Sequence, residues 1–186
     1  MLPVLKRVVD LVGDFRMQVL GGEGDPETET ALAILAETLR RQGYQAAARG
    51  REMEARRWDR VPPAPPPPGA DLLMVLEERL LDREEVLAGV NPDGILVVAT
   101  DRPPGAVRRQ LRWYSGTVAA VDAEALASAL GGAPAIAALG AAARVAGFVD
   151  PEILGICTWV AYDRQLPYAA VSAVRTLDAG WEQVVY

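Results

Sequence analysis

The residues with the best claim to chemistry stand in the stretch MQVLGGEGDPETETALAILAETL, residues 17–39. A short apolar run ends at Leu20, glycines follow at Gly21, Gly22 and Gly24, and an alanine- and leucine-rich helical pattern runs on to Leu39. Strand, glycine turn and helix in that order let the backbone pass close under something bulky. The N–H groups at the helix start then point at whatever sits there and favour an anion. The spacing departs from a dinucleotide fingerprint, because Asp25, Pro26 and Glu27 stand between the last glycine and the helix and carry negative charge where a phosphate would lie. Two further groups are weighed beside it. Glu77 and Glu78 are adjacent carboxylates at the end of an apolar run, but neighbours in sequence point different ways, so they read as a strand end and a helix start in water. Cys157 lies in the apolar run ILGICTWV and reads as a small buried hydrophobe rather than a nucleophile.

Composition narrows what these groups can do. The chain has 186 residues, one cysteine and no histidine. An internal disulfide framework is excluded, and one thiol cannot hold an iron–sulfur cluster or a structural zinc. The commonest general base is missing as well. Redox or acid–base chemistry would need reactive groups from another polypeptide or a bound cofactor. A net charge of −6 argues against nucleic-acid binding by the whole surface. No apolar run is long enough to cross a bilayer, and the charges in MLPVLKRVVDLVGDF interrupt what would be a signal peptide. These features predict a cytoplasmic protein with no membrane association.

The elements that must position the turn alternate in type. Apolar runs starting near Phe15, Tyr44, Leu72, Ile95 and Thr117 predict strands, with helical patterns over residues 28–42, 82–88 and 106–112 between them. The predicted fold is therefore α/β: a doubly wound, mostly parallel sheet of four to five strands. Additional C-terminal helices follow over residues 123–130, 135–146, 150–162 and 168–179, with caps at Asp122 and Asp150 and stops at Gly131 and Gly132. The organisation expected is an N-terminal helical extension (1–14), an α/β domain (15–149) and a C-terminal helical segment (150–186). Residues 49–69 form an arginine- and proline-rich loop. Proline fixes φ and lacks an N–H, so the run from Pro62 to Pro68 reads as an extended surface segment, either a solvated spacer or a partner-facing loop.

The order of these pieces resembles the gamma subunit, or gamma domain, of 2-oxoacid:ferredoxin oxidoreductases, over roughly Arg16 to the end. GGEG at Gly21 to Gly24 stands where that family has GGQG, followed by LAETL in its leucine–alanine helix. REMEARR, residues 51–57, occupies the place of a glycine-proline-glutamate-x-arginine loop. Ala70, Asp71, the run LLMVL and Glu77 match its AD-strand-glutamate pattern, and Asp93, Gly94 and ILVVAT match a DGxLIVN-like strand. AIAALGAA, residues 135–142, then AGFVDPEIL, correspond loosely to an asparagine-led NMVMLGAL helix and the capped helix after it. Gly180, Trp181 and Glu182 stand for the closing GYE. The sequence departs from the family at the residues after Gly24, in the proline and glycines of the second loop, at Ala135 and in the polyproline segment, and so is similar to a divergent member.

The resemblance implies a non-catalytic subunit in a complex that splits a 2-oxoacid such as pyruvate or 2-oxoglutarate. Thiamine diphosphate would sit between alpha and beta subunits and iron–sulfur clusters on cysteine-bearing, delta-type partners, with ferredoxin met indirectly. It also implies possible coenzyme A contact, for which the candidates are the backbone of Gly21, Gly22 and Gly24 and the guanidiniums of Arg51, Arg56 and Arg57, whose planar forks suit phosphate. The alternatives are an assembly-only subunit without a ligand and a free-standing nucleotide-binding protein.

Overall fold

The computed structural model describes residues 14–21, 24–57, 69–81, 83–164 and 167–186. The predicted N-terminal helix, Gly22 and the polyproline run lie outside them. Four strands form a parallel core: β1 (Asp14–Leu20), β4 (Ala70–Val75), β5 (Val90–Ala99) and β6 (Thr117–Val121). Their continuous apolar runs suit strands covered on both faces. Two helices, α2 (Arg83–Gly89) and α3 (Pro104–Leu111), lie on one face, where Leu73, Val75, Leu96 and Val98 meet Val86, Val107 and Leu111. On the other face Met17, Leu72, Met74 and Val97 pack under α1 (Pro26–Arg41) and the alanine-rich α5 (Pro134–Ala146). The doubly wound α/β architecture with extra C-terminal helices is as expected.

Among the described residues the sheet has six strands rather than four to five, and the difference lies at its edge. Residues 51–57, expected within a loop, form instead a strand, β3 (Glu52–Arg57), joined to β2 (Tyr44–Arg49) by a tight turn at Gly50. The sheet order is β2-β3-β1-β4-β5-β6. Strand β3 runs antiparallel to both neighbours, so β2 keeps the parallel direction relative to β1 with β3 returning between them. The cause is an alternation: Met53 and Ala55 point into the core while Glu52, Glu54 and Arg56 stay exposed.

A second departure is in β5. Asn91 to Gly94, expected as a turn before the strand, bulge out within it, where the β4–β5 register shifts between Ala70 and Leu72. The Asn91 side chain accepts the Gly69 N–H (3.1 Å) and donates to Asp71 (3.1 Å), whose other oxygen accepts the Arg16 N–H of β1 (2.8 Å). One aspartate and one asparagine thus tie β1, β4 and β5 together at their amino ends. Burial holds the Asp71 carboxyl above the usual carboxylate range against the hydrogen bonds from Arg16 and Asn91.

After β6 come α4 (Ala123–Leu130), α5, α6 (Pro151–Asp163) and α7 (Pro167–Gln183), capped by Asp122 and Asp150 as predicted. The final helix runs past residue 179, and Val185 then bridges to Ala120 on the β6 edge. Helix α5 is buried between the sheet and α7. Two glycines set that packing distance: a Cβ on Gly140 would run into the Leu177 carbonyl oxygen, and one on Gly180 into that of Ala137. Both obstacles are backbone, which cannot swing aside.

Gly140→Ala and Gly180→Ala should therefore each destabilise the fold by at least about 2 kcal/mol through forced separation of α5 and α7. Gly155→Ala, in α6 with open space around its Cβ, should stabilise by about 0.5–1 kcal/mol through helix propensity. Thermal melts of the three variants would show opposite shifts; a harmless Gly140→Ala would refute the close crossing.

Candidate functional site

The carboxyl ends of β1 and β4 are where the chain turns to opposite sides of the sheet, and in doubly wound folds ligands bind in the crevice outside that point. The glycine turn stands there. Gly21 and Gly24 adopt φ of 95° and 73°, a left-handed backbone that a side chain disfavours. Gly21 has a steric reason too: a Cβ there would lie 3.2 Å from Glu77 Oε1, because the Glu77 side chain packs over the turn with Leu80. Glu77 also meets the Arg79 guanidinium at 2.5 Å.

The helix after the turn begins earlier than expected. Pro26 and Glu27 do not separate the glycines from α1; they are its first residues, and Asp25 is its cap, accepting the Glu27 N–H (3.1 Å) and the Thr28 hydroxyl (3.2 Å). The cap carboxylate thus takes up an N–H that an external anion would otherwise use. Glu27 is engaged as well, accepting a hydrogen bond from the Tyr162 hydroxyl of α6. Burial, and then this carboxylate, push the Tyr162 phenol far above its usual value near 10.

Next along the strand ends, a crevice of about 330 Å³ is lined by Glu77, Glu78, Thr100, Asp101, Asp122 and Glu124. Glu78 accepts the Thr100 hydroxyl (2.8 Å) and the Arg102 guanidinium (2.7 Å), and Arg102 also reaches Gln110 (2.8 Å). The Arg102 hydrogen bond, then that of Thr100, holds the Glu78 carboxyl below its ordinary range. Glu77 and Glu78 therefore serve separate partners and make no carboxylate pair, as expected. Sequence inspection does not pick out Thr100, Arg102 or Gln110, whose meeting with Glu78 depends on β4 pairing beside β5. Among the described residues no group of three or more histidine, cysteine, aspartate or glutamate side chains is arranged to hold a metal ion. Cys157 is buried.

The candidate arginines do not converge. The Arg51 carbonyl accepts the Val19 N–H (2.9 Å), which sets Arg51 beside the carboxyl end of β1, near Gly21. Arg56 pairs in register with Asp14 at the opposite end and makes an ion pair with it (3.0 Å). Arg57 follows, opposite Tyr44 of β2. At about 3.4 Å per residue, Arg51 and Arg56 are roughly 17 Å apart along the strand. Gly21, Gly24 and Arg51 share one end of the sheet; Arg56 and Arg57 occupy the other.

Comparison with known proteins places this geometry. The model for "Pyruvate ferredoxin/flavodoxin oxidoreductase" matches residues 15–155, from the start of β1 into α6. The chain belongs to the pyruvate ferredoxin/flavodoxin oxidoreductase family. The common subunit gamma of the pyruvate/ketoisovalerate oxidoreductases of Thermococcus kodakarensis is 37% identical over 84 residues, and that of Pyrococcus furiosus 36% over 84 residues. Each match takes in 44% of this chain and 45% of the relative, so the chain spans under half the length of the curated relatives it matches. A pyruvate oxidoreductase subunit of Thermotoga maritima superposes with a TM-score of 0.71 at 26% identity, over 93% of this chain and 98% of that one. The 2-oxoglutarate:ferredoxin oxidoreductase of Magnetococcus marinus, solved with 2-oxoglutarate, coenzyme A and succinyl-CoA bound, shares the fold at 11% identity and a TM-score of 0.61, over 90% of this chain but 30% of that one. The resemblance to gamma subunits read from the motifs is borne out.

The Tyr162–Glu27 bond ties the C-terminal helices of this family member to the turn. Tyr162→Phe should cost about 1.5–3 kcal/mol at neutral pH, as for a hydrogen bond to a charged group. Because the native phenol resists ionisation, stability is intact below pH 10 and falls above it as only the unfolded tyrosine loses its proton. The gap between the wild type and Tyr162→Phe should therefore narrow above pH 10, by at most about 1.4 kcal/mol per pH unit. Urea melts at pH 7, 9 and 10.5 would test this; a constant gap would refute it.

Proposed function

We propose that this chain is the gamma subunit of a 2-oxoacid:ferredoxin oxidoreductase. Such a complex oxidatively decarboxylates a 2-oxoacid such as pyruvate or 2-oxoglutarate to its acyl-coenzyme A and reduces ferredoxin. The observation that carries this reading is the near end-to-end correspondence with the T. maritima subunit, over 93% of this chain and 98% of that one. The chain's role there is structural and non-catalytic. Its one cysteine and lack of histidine leave it without the four thiolates that a cluster of this kind takes. Thiamine diphosphate and the clusters then belong to alpha-, beta- and delta-type partner subunits.

Coenzyme A contact, where it is made, falls at one end of the sheet only. Gly21, Gly24 and Arg51 stand together there, whereas Arg56 lies beside Asp14 at the far end. Asp25, Glu27 and Glu77 surround the turn with negative charge, so the described residues of the chain offer a phosphate no closed site and call for cations from a partner. The assembly-only reading draws on the same acidic lining.

Affinity purification of the chain from its native cells without oxygen should bring down subunits carrying a thiamine-diphosphate motif and cluster cysteines; a lone chain would sink the proposal. In the assembled complex, Arg51→Ala should raise the KM for coenzyme A about 5- to 20-fold, as for the loss of one charge-assisted phosphate contact, with kcat held. Arg56→Ala should leave it unchanged. Equal effects would remove the assignment to this strand end, and no effect of either would favour assembly alone.

A further inference from the structure

The outward side of α6 and α7 is more apolar than a free surface requires. Ile156 is 55% exposed, Trp159 43%, Val160 37%, Tyr168 90% and Val171 44%. Spacing of three and four residues puts Ile156, Trp159 and Val160 on one stripe of α6, and Tyr168 and Val171 on one stripe of α7. The two helices pack side by side. Helix α6, PEILGICTWVAYD, is apolar almost all round its circumference. Its inner side, which carries Leu154, Cys157 and Tyr162, is covered within the chain by α1 and α7. A helix of that kind is normally buried on every side.

We infer that the α6–α7 face, centred on Ile156, Trp159 and Val171, docks against a larger subunit of the same oxidoreductase complex, in an apolar groove. This rests on the reading of the chain as a complex subunit. Area and charge select that occupant over a second copy. At about 150–250 Å² for a fully exposed large side chain, the five residues present roughly 500 Å². Self-contact would thus bury about 1,000 Å² in all, at the low end for a specific interface and far below a permanent homodimer. It would also set a chain of net charge −6 against itself. A larger partner can extend the contact beyond these five residues.

Hydroxyl-radical footprinting of the full chain, alone and in the co-expressed complex, tests this with exposed Tyr114 as internal reference. Trp159 and Tyr168 should oxidise readily in the dilute isolated chain and be protected at least fivefold in the complex. Protection that grows with the concentration of the isolated chain would assign the face to a second copy and overturn the inference. Protection of the dilute chain would assign it to the chain's own segments, with the same result, as would unchanged reactivity in the complex. The double variant Ile156→Glu, Val171→Glu should keep the melting temperature of the isolated chain and weaken assembly at least tenfold. Assembly of the variant at wild-type strength would sink the docking face alone; failure of the wild type to assemble would sink the subunit reading with it.

Discussion

The helical side of this molecule depends on how closely two backbones approach where α5 crosses α7. Helix α5 contributes mainly alanine to its contacts, and each alanine buries little area. Its hold on the sheet and on α7 must come from many short contacts, which requires the helix axes to come nearer than larger side chains would permit. Gly140 and Gly180 supply that approach, each facing a carbonyl of the other helix. The glycine of the AIAALGAA segment and the glycine before Trp181 are thus two halves of one contact. With α5 pressed against the strands, α7 forms a second helical layer beside α6. The outward faces of those two helices follow from that single crossing.

Much of this was legible in the sequence where a signal was local. The apolar runs of β1, β4, β5 and β6 announced a parallel core, and Asp122, Asp150 and Pro151 marked two helix starts. What was missed is instructive. In REMEARR only Met53 and Ala55 are apolar, and so many arginines suggest a solvated loop, yet their period of two is that of a half-buried strand. Charge density outweighed periodicity in the reading, whereas in the fold two buried side chains and two hydrogen-bonded neighbours decide the matter. The start of α1 was misplaced for a similar reason. Asp25-Pro26-Glu27 looks in the sequence like negative charge set between the glycines and the helix, although aspartate before proline is also a strong cap and first-turn signal.

The candidate site was legible as a turn but not in its lining. Positive φ at Gly21 and Gly24 follows from residue type, but Glu77 lies 56 positions on from Gly21 and reaches it only because β4 pairs beside β1. The same holds for the arginines. Arg51 and Arg56 look clustered in sequence, and a strand separates them as surely as a helix would have brought residues three or four apart together. The acidic lining has a consequence for how the fold is used. The crevice at the strand ends is the usual ligand position in a doubly wound sheet, and here carboxylates of the chain itself occupy it, so whatever binds there must bring positive charge or leave its phosphates outside.

The structural role proposed above consists in fixing distances between other chains, and the bonding of α6 suits that task. At its start, Gln42 at the end of α1 donates to the Phe148 carbonyl (3.0 Å) and accepts the Asp150 N–H (3.1 Å). At its far end Tyr162 donates to Glu27 at the beginning of α1. The two helices therefore run antiparallel and are bonded at both ends, by one bond beside the glycine turn and by a pair a full helix length away. A rigid α1–α6 pair converts contact on the α6 face into a defined position for the carboxyl ends of the strands. Loose loops between the two surfaces would leave that position free to drift, and a 1 Å displacement at a reacting centre is enough to cost rate. The physical content of the proposed structural role is that stiffness.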